Sequence, residues 1–120
     1  MGLTSIFYVF IGGGIGSVLR FFVAKQFPFQ ATGFPWATLL SNIIATLILA
    51  IVVTQFKESE KWLSLQPFII VGMCGGLSTF STFSFENYQL LQQGQLALVG
   101  LNILFSLGLG LLCFWFLSRL

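Results

Sequence analysis

Four apolar stretches, about 3–24, 36–56, 67–91 and 96–117, dominate this chain. Each is close to the roughly 20 residues that a helix needs to cross a bilayer. No other feature constrains the fold as strongly. Hydrocarbon offers no hydrogen-bond partners, so only helices and closed barrels span it. A barrel would demand ten-residue strands of alternating polarity, and no such alternation runs through the sequence. The expected fold class is therefore an all-α membrane protein with four transmembrane helices per chain, forming a single domain over 1–120.

Composition agrees. Only 7% of the residues are charged and 57% are hydrophobic, whereas soluble domains carry about 25% charge. So few charges cannot coat a water-facing surface. A formal charge of +2 without a basic cluster excludes nucleic-acid binding. Without histidine and with three acids, a transition-metal site is not expected. No histidine base and no Gly-x-Ser-x-Gly elbow supports serine chemistry, so the chain does not read as an enzyme. Cys74 and Cys113 lie in apolar segments as buried thiols rather than a disulfide framework. The start, "MGLTSIFYVF", lacks the basic region of a cleaved signal peptide, and Ile6 stands where myristoylation wants Ser or Thr.

Pro28, Gly33 and Pro35 punctuate the first connection, "KESEKW" is the one charged loop, and Gln92, Gln93, Gly94 and Gln95 form the last turn. Four crossings put both termini on one side, with Lys57, Lys61 and Arg119; Arg20 and Lys25 fall on the other. Three against two is a weak orientation signal under the positive-inside rule. It admits dual topology, in which oppositely inserted copies pair as an antiparallel homodimer, as well as a single orientation. Four helices leave little room for a polar conduit, and a homodimer interface would supply one. Gly12 and Gly16, like Gly72 and Gly76, have the GxxxG spacing of close helix packing. "GGGIGS" lacks the strand-turn-helix frame of a dinucleotide fingerprint.

Polar groups inside spanning segments are expensive and mark functional candidates. Asn42 sits mid-way along the second stretch with Thr38 one turn earlier; an interhelical bond and a pathway role both suit it. Asn102, Ser106 and Gly110 form a strip on the fourth stretch. Arg20 closes the first, where it either snorkels to the interface or attracts anions at a vestibule. Glu86 is the only acid outside the charged loop, three residues after Phe83 and so on a shared face.

The densest polar run is "GGLSTFSTFSFEN", Gly75 to Asn87. Two glycines followed by hydroxyls predict a break near the middle of the third helix. Broken backbone at membrane depth persists where protein buries it or water reaches it, and its freed carbonyls can hold a cation. Phe80 and Phe83 point the same way. A phenyl ring has a positive edge, and Ser81, Thr82 and Ser84 add hydroxyl donors. Ring edges, hydroxyls and an amide without a buried fixed cation suit a small, hard, strongly hydrated anion. Such donors replace its water yet allow release. The alternative is that both rings simply pack, since phenylalanine occurs 15 times.

Those residues carry a family resemblance. "GMCGGLSTFSTFSFEN" resembles the third-segment signature of the Fluc (CrcB-type) fluoride channels, "GGGIGSVLR" their first-segment motif and "TLLSN" their second. The resemblance covers essentially the whole chain. It implies an antiparallel, dual-topology homodimer with two pores, giving passive fluoride efflux across the bacterial inner membrane and protection from fluoride toxicity. It makes Phe80 and Phe83 the pore-lining rings and Asn42 the pore amide. Thr38, Ser81, Thr82, Glu86 and Ser106 would join the polar lining, with Arg20 near the vestibule. Gly75 and Ser78 would offer backbone carbonyls to a central structural sodium ion. Two positions depart from the pattern: Ala45 follows the asparagine where the family usually has glycine, and Asn102 replaces a hydroxylated aromatic. The rival is a small dual-topology, proton-coupled multidrug exporter, which needs a membrane-embedded carboxylate; a subunit without transport is the second rival.

Overall fold

A computed structural model describes residues 2–56 and 59–120. Met1 and two residues of the charged loop, Lys57 and Glu58, lie outside the described residues, and with Lys57 so does part of the orientation signal. Every secondary-structure element among the described residues is a helix, with no strand. Helix α1 covers Leu3–Gln26 and stops at Phe27, ahead of Pro28. A short α2, Phe29–Thr32, ends on Gly33, whose φ of 77° is the left-handed conformation that glycine adopts without penalty. Helix α3, Trp36–Gln55, starts directly after Pro35.

The third run differs from its sequence expectation at its start. It opens with α4, Glu60–Gln66, where the Ser59 side chain accepts the Trp62 N–H. It continues through a π-helical segment, Pro67–Cys74, into α5, Gly75–Leu77. The apolar stretch places its start at about 67. The helix instead begins at Glu60 and passes Pro67 into wider π turns. Ser78 (φ −81°, ψ 157°) and Thr79 (φ −153°, ψ 123°) are extended. Helix α6 follows, Phe80–Gln92, then α7, Leu96–Ser118.

Helix α1 packs against the π-helical segment and α5, while α3 packs against α7, which also supports α6. Glycines set the first contact. A Cβ on Gly12 would strike the Phe68 carbonyl oxygen, and one on Gly16 the Met73 carbonyl oxygen. Both backbones meet because neither carries a side chain there. Ala45 is buried against Cys74 and Leu77, so the methyl that departs from the family pattern is accommodated in the α3–α5 contact. Both cysteines are free, Cys74 buried and Cys113 half-buried.

Large apolar side chains cover the outside. Phe10, Leu3 and Leu111 are more than two-thirds exposed. Among the described residues, four runs are long and apolar enough to cross a membrane: Leu3–Thr32, Trp36–Gln55, Glu60–Gln92 and Leu96–Ser118. Such a surface suits lipid rather than water, and the chain is a multi-pass membrane protein.

Candidate functional site

The polar residues converge on the extended pair Ser78–Thr79, where several hydrogen bonds of a continuous helix are rerouted. A helix would pair the Thr79 N–H with the Gly75 carbonyl and the Phe80 N–H with the Gly76 carbonyl. Here the Thr79 N–H donates to Asn42 Oδ1 at 2.7 Å. Asn42 Nδ2 donates back to the Thr79 carbonyl at 3.2 Å. The Gly76 carbonyl accepts Arg20 Nε at 3.0 Å. The Thr82 N–H, which would seek the Ser78 carbonyl, donates to Thr79 Oγ1 at 3.2 Å, so that Thr79 caps α6. Ser78 stays tied to α5: its N–H and its Oγ both donate to the Cys74 carbonyl, at 3.0 and 2.7 Å.

Three cavities adjoin this pair, and Thr79 lines the two larger ones. The first is a cleft of about 280 Å³ that gathers Asn42, Phe80, Phe83 and Ser106 beside Ser78. The two rings stand 6.0 Å apart between centroids at an interplanar angle of 36°. Phe80 is 79% exposed and Phe83 is half-buried. Both rings are thus accessible in the cleft, beside an amide and a hydroxyl.

The second cavity, about 460 Å³, collects Arg20, Thr38, Ser41, Thr82 and Glu86. Ser41 is fully buried and Glu86 is 8% exposed. Ser41 Oγ and Glu86 Oε1 have no hydrogen-bond partner among the described residues. Glu86 and Phe83 thus line different cavities although three residues separate them. An i,i+3 step leaves side chains about 60° apart around a helix, enough to fall on either side of Thr79. Thr38 and Asn42 divide between the cavities in the same way.

The remaining candidates fall elsewhere. Ser81 is exposed, lines neither of the two larger cavities, and its Oγ lies 3.2 Å from Thr79 Oγ1. Gly75 and Ser78 border a third, smaller hollow of about 150 Å³. Asn102 is buried: its Nδ2 donates to Asn87 Oδ1 at 2.8 Å, joining α7 to α6. Its Oδ1 accepts the Ser106 hydroxyl at 3.4 Å, so the strip on α7 is part packing and part cleft. Sequence reading missed Thr79, Ser41 and Asn87. Thr79 was visible only as one hydroxyl among several. Ser41 is a hydroxyl unpaired among the described residues that lines the larger cavity, and the Asn102 partner of Asn87 comes from a distant position that spacing does not reveal.

Comparison with known proteins is consistent across the chain. Residues 7–117 match the family model described as CrcB-like protein, Camphor Resistance (CrcB). A protein of Flavobacterium psychrophilum named fluoride-specific ion channel FluC is 41% identical over 118 residues, covering 94% of this chain and 93% of that protein. A Campylobacter fetus protein of the same name is 40% identical over 97% of this chain and 92% of its own length. One from Pyrococcus abyssi is 38% identical over 86% and 84%.

Proposed function

The chain belongs to the CrcB-like protein family, and from that premise we propose that it is a fluoride-specific channel giving passive efflux and protecting the cell from fluoride. The observation that carries this reading is the cleft beside Ser78–Thr79, where Phe80, Phe83, Asn42 and Ser106 meet. Fluoride is small and strongly hydrated. A dehydrating path must offer many weak donors and no trap. Two positive ring edges, an amide and a hydroxyl meet that need. In this reading Thr38, Thr82 and Glu86 line the approach, Ser81 adds a hydroxyl at its rim, and Arg20 biases the approach toward anions.

The cleft is open on the side of Phe80. An antiparallel homodimer of dual-topology chains would close it and create two pores. Each chain then acts as one four-helix domain, and the protein belongs in the bacterial inner membrane. We read the extended pair as the family's mid-helix break. A structural sodium ion fits there on the chemistry of the donors. Gly75 and Ser78 carbonyls lose their helical partners, because the Thr79 and Thr82 N–H groups donate elsewhere. Carbonyl oxygens suit a hard cation. Bound there, the ion would supply positive charge at the dimer centre.

The exporter reading has one observation in its favour, the buried carboxylate of Glu86. Arg20 in the same cavity disfavours a cationic drug. Efflux from liposomes holding only this protein separates the readings. Fluoride leaves rapidly and chloride stays if the chain is the channel. A proton-driven uptake of organic cations, with no fluoride efflux, would replace that reading with the exporter.

A further inference from the structure

We propose that Arg20 and Asn42 are positioning residues that clasp the Ser78–Thr79 step from two helices and keep it extended. The inference rests on the channel reading only in giving that step a purpose. Healing the step into helix requires, among other pairs, the Thr79 N–H with the Gly75 carbonyl and the Phe80 N–H with the Gly76 carbonyl. Asn42 of α3 holds the donor of the first pair at 2.7 Å and the Thr79 carbonyl at 3.2 Å. Arg20 of α1 holds the acceptor of the second at 3.0 Å. Asn42 thus takes up the donor of the first pair and Arg20 engages the acceptor of the second, and the two come from different helices.

The arrangement reassigns both residues. The Asn42 amide uses its oxygen and one N–H on backbone, leaving one N–H for the cleft. The Nε–H of Arg20 acts on the Gly76 carbonyl, while its position in the larger cavity keeps the guanidinium beside the approach. A helix turns about 100° per residue. Closing the step would therefore swing Phe80 and Phe83 around the axis, away from Asn42 and Ser106. The clasp fixes the direction in which the rings face, which the hydroxyl-rich run cannot fix by itself.

Arg20 gives the clean test, because it does not line the ring cleft. Its hydrogen bond is to the Gly76 carbonyl of the step and not to the ring cleft. The full-length protein is labelled with 4-fluorophenylalanine, and ¹⁹F spectra of Arg20→Gln are compared with those of the unaltered chain. The resonances of Phe80 and Phe83 are expected to shift or split, while those of the distant Phe10 and Phe116 stay in place. Fluoride efflux should fall at least tenfold and should not recover when fluoride is raised tenfold, as it would for a lost electrostatic attractor. If Arg20→Gln fails to fold, Arg20→Lys, which keeps the charge but not the Nε donor, is read in the same way. Unmoved Phe80 and Phe83 resonances, or a deficit that added fluoride restores, would overturn the clasp. The spectra require no transport. Unmoved rings in a variant of a fluoride-conducting protein sink the clasp alone, whereas no efflux from the unaltered chain sinks the channel reading alone.

Discussion

The two halves of the third span are held in opposite ways. Pro67–Leu77 is held by shape: Gly72 and Gly76 lie against Gly12 and Gly16 of α1, with the Cα of Gly12 only 2.9 Å from where a Cβ on Gly72 would stand. Phe80–Gln92 is held by side-chain hydrogen bonds: Asn42 and Thr79 at its start and Asn87 with Asn102 further along. The first half makes a close-packed platform. The second presents polar groups and rings to two cavities. In a membrane, where hydrophobic burial does not drive helices together, close packing and polar bonds are the available means of association, and this span relies mainly on packing in its first half, beside the Arg20–Gly76 bond, and on polar bonds in its second.

The strongest way to break that contrast is to add bulk to the platform. Gly16→Val should prevent a folded protein, because its Cβ meets the Met73 carbonyl oxygen and the Leu77 nitrogen, both of them backbone. A loss above about 4 kcal/mol is the range for such overpacking and strain. Thermal unfolding in detergent, or failure to recover a monodisperse protein, checks it. A variant as stable as the unaltered chain would show that α1 and the third span do not meet as described.

The polar half should respond more mildly. Asn102→Leu leaves Asn87 Oδ1 without its donor and should destabilise by about 1–2 kcal/mol. Adding Asn87→Leu should restore most of the loss, since an apolar pair leaves nothing unsatisfied. An additive double variant would mean that the two amides act separately. The smallest effect is expected at Gly14, where an added Cβ meets nothing within 4 Å. Gly14→Ala should leave stability unchanged or raise it by up to about 1 kcal/mol, in contrast with Gly16 two residues later.

Much of this arrangement is legible in the sequence because it depends on periodicity. The four apolar runs, the two GxxxG pairs and the alignment of Phe80 with Phe83 follow from helical spacing. What spacing cannot give is which distant group meets which. Arg20 reads as an interfacial cation, yet its Nε reaches a backbone carbonyl 56 residues away. Asn42 reads as an amide in search of a partner, and that partner is the backbone of Thr79. Asn102 reads as lining but is 1% exposed, because Asn87 draws it into the α6–α7 contact. The shared face assigned to Phe83 and Glu86 divides around Thr79. Helix α4 escapes sequence reading because it lies in the charged and polar run before the apolar stretch begins at about 67.

The central claim is that the cleft of Phe80 and Phe83 carries fluoride. The most direct measurement compares the unaltered chain with the Phe80→Ile/Phe83→Ile double variant in liposomes, following fluoride and chloride efflux with the potential clamped by a potassium ionophore. The account predicts rapid fluoride efflux without chloride efflux from the unaltered protein. It predicts no fluoride efflux from a double variant that is folded and has the same oligomeric state. Undiminished fluoride efflux from that variant would contradict it.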